Sequence, residues 1–116
     1  MNIQIYGTAK CFDTKKAQRY FKERSVKFQF VDLSKFGMSK GELNSIKTAL
    51  KCKVDDLVNE KSKKYESSFI KYLASDEAKI EKLLDNQELF KTPIVRNGKK
   101  ATIGYCPEIW KEWERE

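Results

Sequence analysis

Ile3 and Ile5 alternate with Gln4, the period-two pattern of a half-buried strand, and Gly7-Thr8 ends it. From about Asp13 to Arg24 the apolar positions Ala17, Tyr20 and Phe21 recur at helical spacing. Val26, Phe28 and Phe30 then alternate with Lys27 and Gln29, which predicts a second strand to about Val31. A strand–helix–strand unit of this kind makes a parallel crossover. Residues 32–37 read as a connection. Ser39 and Glu42 have the spacing of a capping box, and Leu43, Ile46 and Leu50 mark one face of a helix to about Lys51. A short helical turn is predicted over 55–58, then a helix over 62–73 with Tyr65, Phe69, Tyr72 and Leu73 on its apolar side. Ser75 is a second N-cap, and Ile80, Leu83 and Leu84 form the stripe of a helix ending near Asn86.

The last third alternates again. Residues 92–96 and 99–103 flank Asn97-Gly98, a strong hairpin signal because both residues tolerate positive φ. Pro93 cannot donate to a ladder and belongs at a strand start or edge. Pro107 suits the first turn of a final helix with Ile109, Trp110 and Trp113 inward. The order β-α-β, helices, β-β-α predicts an α/β fold: a four-stranded mixed sheet flanked by helices, in one domain over 1–116, with a helical insertion at about 39–88.

Composition narrows the chemistry. The chain has 116 residues, 40% hydrophobic and 35% charged, enough to bury a core and unlike a disordered composition. No apolar run approaches the ~20 residues of a membrane span, and no export signal is visible, so the cytoplasm is expected. The net charge of +7 comes from lysines interleaved with Asp and Glu. It suits a solvated surface or an anionic partner, but no nucleic-acid-binding motif is present. The chain has no histidine, which excludes Ser-His-Asp and Cys-His catalysis and His-ligated metal sites. Its three cysteines, Cys11, Cys52 and Cys106, are odd in number and widely spaced, so neither a disulfide framework nor a zinc site is expected.

Cys11 carries the chemistry. It ends a strand–turn segment and stands where a helix begins, and helix N-termini and nearby cations favour the thiolate. Lys10, Lys15 and Lys16 are the candidate cations, and Thr14 brings a hydroxyl into the first turn. Without that context Cys11 would read as a small buried residue. Cys52 and Cys106 are either bystanders or candidate resolving thiols. Arg96 faces either an anion or solvent. If Thr92–Pro93 is cis, it exposes backbone beside the thiol as a docking edge.

Residues 5–17 (Ile5-Tyr6-Gly7-Thr8-Ala9-Lys10-Cys11 through Ala17), residues 26–33 and Thr92-Pro93-Ile94-Val95-Arg96-Asn97-Gly98, with Ile103-Gly104-Tyr105 after it, resemble the arsenate reductase-like family of ArsC, Spx and YffB proteins. The resemblance runs in order over nearly the whole chain. It implies a thioredoxin-like fold with a cis Pro93 opposite Cys11. In the family's arsenate reductases one arginine directly precedes that proline, where this chain has Thr92. Another follows the glycine after the hairpin, where this chain has Tyr105. A third lies in the middle region, where 55–65 holds Lys61, Lys63 and Lys64. Many Spx-type members carry a Cys-x-x-Cys switch at this turn, and the second position here is Thr14.

The leading expectation is a thiol oxidoreductase with Cys11 as its single nucleophile. Lys10, Thr14, Lys15, Thr92, Pro93 and Arg96 would contact the substrate, a small thiol or an oxyanion. No bound cofactor or metal is expected; glutathione is a candidate co-substrate. The first alternative is an Spx-like, non-enzymatic regulator that binds RNA polymerase. The second is a genuine arsenate reductase. A monomer is expected.

Overall fold

The computed structural model describes all residues 1–116. Its sheet holds β1 (Ile3–Gly7), β2 (Phe28–Asp32), β3 (Ile94–Asn97) and β4 (Lys100–Ile103) in the order β2-β1-β3-β4. β1 runs parallel to β2 and antiparallel to β3, and β3 and β4 form the hairpin. The helices are α1 (Phe12–Glu23), α2 (Lys40–Leu50), α3 (Lys64–Ser68), α4 (Asp76–Asp85) and α5 (Pro107–Glu114), with 3-10 turns at Val54–Leu57, Ile70–Tyr72 and Gln87–Leu89. This is the predicted four-stranded mixed sheet, in a thioredoxin-like arrangement. No helix is long and apolar enough to cross a membrane.

Strand alternation divides the core between the two faces of the sheet. Ile3, Ile5 and Val95 pack with Ala17, Tyr20 and Phe21 of α1 and Trp110 and Trp113 of α5. Tyr6 and Ile94 point the other way, into a larger cluster built from α2, α4 and the segments between them. Trp110 is fully buried, and its indole N–H donates to the Thr102 hydroxyl at 2.9 Å, so its one polar atom is satisfied.

The local signals for caps hold. Ser39 and Glu42 form the reciprocal capping box, and the Ser75 hydroxyl accepts from Ala78 N–H at 3.1 Å. Four expectations shift. β2 begins at Phe28, not Val26, because the Val26 N–H is spent on Phe21 O at 2.9 Å. With Ser25 at φ +57° and its N–H on Lys22 O, this is a Schellman ending to α1. Asn97 pairs with Lys100 as the last residue of β3, so the turn is Gly98-Lys99, with positive φ at Gly98. The predicted helix over 62–73 breaks at Phe69, which has φ +56°. The Ser68 hydroxyl donates to Tyr65 O at 2.9 Å and accepts from Ile70 N–H at 3.3 Å, bonds that compete with continuing the helix. Ser68 and Ile70 are buried there, while Phe69 and Tyr72 are exposed. Ile109 is also exposed, since α5 buries its face through Trp110 and Trp113.

Candidate functional site

β1 delivers the chain to Gly7, residues 8–10 turn, and Cys11 becomes the N-cap of α1. Its N–H donates to Thr8 O and its carbonyl accepts from Lys15 N–H, both at 3.2 Å. The side chain makes no capping bond. Instead the half-buried thiol donates across the site to Thr92 O at 3.7 Å. The Thr92–Pro93 peptide is cis, as the resemblance implied, and Gly104 N–H donates to Pro93 O at 2.8 Å, which holds the loop after β4 beside it.

Burial works to raise the Cys11 pKa but is outweighed. The hydroxyls of Thr14 and Thr92 and the backbone N–H groups of Thr14 and Asp13 favour the charged form, so the thiol lies below its ordinary range. The Thr14 hydroxyl is fully buried and has no partner at ordinary hydrogen-bonding distance. Gly7 makes room for it: a Cβ at Gly7 would stand 2.3 Å from Thr14 Oγ1.

A cleft of about 500 Å³ opens over the thiol, lined by Cys11, Thr92 and Gly104, by Glu60, and by Asn59, Lys61 and Lys91. The last three are brought there by a long-range pairing. Val58 bridges to Phe90, Asn59 N–H donates to Leu89 O at 2.7 Å, and Lys91 N–H donates to Leu57 O at 2.8 Å. The segment between β2 and β3 thus returns to wall the cleft with an amide, the Glu60 carboxylate and two ammonium groups, a net positive charge. The Lys61 and Lys91 ammonium groups can hold an anionic substrate next to the sulfur, as point charges rather than as planar forks. No cluster of His, Cys, Asp or Glu has metal-ligand geometry.

Among the residues singled out from sequence, Cys11, Thr14, Thr92 and Pro93 come together. Lys10 and Lys15 are exposed, do not line the cleft, and are not among the groups that lower the Cys11 pKa. Arg96 lines a different cleft, against α2, because strand alternation on β3 turns it toward Tyr6. Cys52 packs beside the larger core, and burial, with Asp56 nearby, pushes its thiol up. Cys106 is the N-cap of α5, donates to Ile103 O at 3.2 Å, and is also pushed up by burial. All three cysteines are free. Asn59 and Lys91 were missed. Lys91 had one available signal, its place directly before Thr92-Pro93. The sequence carries no local mark of the Val58–Phe90 bridge that brings Asn59 in.

The sheet is thioredoxin-like, with Cys11 at a helix N-cap facing a cis-proline loop. The chain belongs to the ArsC family, whose model matches residues 6–113. It is 27% identical to the global transcriptional regulator Spx 2 of Oceanobacillus iheyensis, over 98% of this chain and 94% of that protein. It is 24% identical to YusI of Bacillus subtilis, over 97% and 98% of the two chains. An arsenate reductase from Vibrio cholerae has the same fold, with a TM-score of 0.86 at 22% identity over 97% of each chain.

Proposed function

We propose that this protein is a one-cysteine thiol oxidoreductase whose nucleophile is the Cys11 thiolate. The Cys11 sulfur attacks one sulfur of a substrate disulfide. A Cys11–substrate disulfide forms, and the other half leaves as a thiolate. A second thiol, glutathione or a comparable small thiol, attacks the substrate sulfur of that mixed disulfide. Cys11 returns as thiolate and the substrate leaves as a disulfide with the incoming thiol. Two electrons pass from the two thiols to the original disulfide when a further thiol completes the exchange. The observation that carries this reading is the asymmetry among three free cysteines: Cys11 alone opens on the cleft and has its pKa lowered, while the other two are raised. Lys61 and Lys91 would hold the carboxylates of the small thiol.

Mass spectrometry after exposure to oxidised glutathione tests it. One glutathione adduct on Cys11, released by added thiol, is the expected result. Adducts spread evenly over the three cysteines would sink the proposal. Arsenate belongs in the same experiment, because the two lysines also offer charge to an oxyanion, and arsenate-dependent oxidation of thiol would move the assignment to arsenate reduction.

A second reading is supported by the likeness to Spx 2: a regulator that docks on RNA polymerase through its basic surface. It predicts stable, salt-sensitive retention of RNA polymerase by the Cys11→Ser protein.

A further inference from the structure

Arg96 stands in a second cleft, of about 500 Å³, between α2 and the β3–β4 hairpin. Asn44, Ser45, Thr48 and Lys51 line it from α2 and its C-cap, and Arg96 and Lys99 line it from the hairpin. Arg96 is anchored from beneath. Its Nη1–H donates to the Tyr6 hydroxyl at 3.3 Å, and Tyr6 in turn donates to Glu42 Oε2 at 2.5 Å. Glu42 Oε1 accepts from Ser39 N–H at 3.1 Å, so this carboxylate is engaged in the capping box and the tyrosine bond. Tyr6 is itself fully buried. The guanidinium is therefore held by one N–H on a buried scaffold, and its other N–H groups have no protein acceptor.

The cations of this cleft stand outside ion pairs, as do most of the 24 lysines and arginines of the chain. Arg24, Lys40, Lys79, Lys100 and Arg115 each have a carboxylate within ion-pair distance. Arg96, Lys51 and Lys99 have none, and no carboxylate lines the cleft. Two hydroxyls and an amide stand among these cations. The wall has a single hydrophobic side chain, Ala49, and no aromatic ring. Cations with hydroxyl donors suit a group that is multiply charged and rich in acceptor oxygens. With no aromatic ring in the wall, the cleft has no side chain on which a base could stack.

We propose that this cleft binds a small phosphate-bearing anion with a hydrophilic body, of the sugar-phosphate type, with Arg96 as its oriented anchor. The site is separate from the Cys11 cleft and shares none of its lining residues.

Glucose 6-phosphate is the probe, titrated into the isotopically labelled full-length chain at low salt, with glucose, inorganic phosphate and a short polyglutamate peptide as comparators. Saturable amide shifts at Ser45, Thr48 and Arg96, tighter for glucose 6-phosphate than for inorganic phosphate and absent for glucose, are expected. The Lys51→Glu/Lys99→Glu pair, both exposed positions, should weaken binding by about tenfold or more. Arg96→Lys, which keeps charge but loses the fork, should weaken it severalfold while the amide spectrum stays folded. Four results would overturn the proposal: no saturable shift; shifts centred on Cys11, Lys61 and Lys91; wild-type affinity in the double variant; or binding of the peptide without the sugar phosphate.

Discussion

Cys11 and Cys106 occupy the same formal position, the N-cap of a helix, α1 in one case and α5 in the other. Both are half-buried, and both thiols donate to a backbone carbonyl, Thr92 O and Ile103 O respectively. Yet Cys11 is lowered and Cys106 is raised. Burial pushes both upward. Two nearby hydroxyls and two backbone N–H groups favour the Cys11 thiolate, whereas the Thr102 hydroxyl alone does so for Cys106. α5 also begins with Pro107, which removes one first-turn N–H. A helix N-terminus by itself therefore does not lower a thiol pKa; hydroxyl and N–H groups near the sulfur do.

The largest effect is expected from Cys11→Ser, which should abolish thiol transfer and adduct formation while circular dichroism stays native. Activity retained by Cys106 or Cys52 would break the contrast. Thr14→Val comes next. It removes a buried donor without changing the side chain's branching, and should cut Cys11 alkylation at neutral pH by about tenfold, with Thr14→Ser largely restoring it. An unchanged rate would assign the lowered pKa to the Thr92 hydroxyl and the helix backbone.

Gly7→Ala should approach the Thr14→Val defect, because the new methyl displaces the hydroxyl, with ~1–3 kcal/mol lost in urea unfolding from overpacking. Loss of stability with normal Cys11 reactivity would separate Gly7 from the thiol. The smallest effect is expected from Pro107→Ala. Restoring one N–H at the start of α5 should raise Cys106 reactivity slightly and leave Cys11 unchanged.

The pH dependence sharpens the same contrast. A lowered pKa puts the Cys11 thiolate in place at a pH where Cys106 is still protonated. Alkylation followed cysteine by cysteine should show Cys11 rising first with pH and Cys106 later, the two converging above both pKa values. The linkage to folding follows the same signs. Cys11 adds stability above its unfolded pKa that is lost as pH falls through its folded pKa. The raised Cys106 contributes stability below its unfolded pKa that is lost as pH rises through the folded one. Coincident alkylation profiles would remove the distinction.

Much of the local chemistry was legible in the sequence, though the Schellman ending of α1, the one-residue shift of the hairpin turn and the break at Phe69 were not. The Ser39–Glu42 box, the Ser75 cap, the hairpin after Pro93 and the place of Cys11 before α1 all follow from spacings of a few residues. Those spacings also bring Thr14 onto the same helical turn as Cys11. What tertiary structure alone decided is which way side chains face once distant segments meet. Arg96 reads as an anion ligand for Cys11, but β3's pairing with β1 sends it to Tyr6 and a second cleft. Lys10 and Lys15 lie close to Cys11 in sequence, yet the exposed start of α1 leaves them outside the cleft, while Lys61 and Lys91 arrive through the Val58–Phe90 bridge. The physical reason is range: caps and turns depend on hydrogen bonds within a few residues, whereas charge and donors around a sulfur depend on contacts that only the closed sheet and its returning segment create.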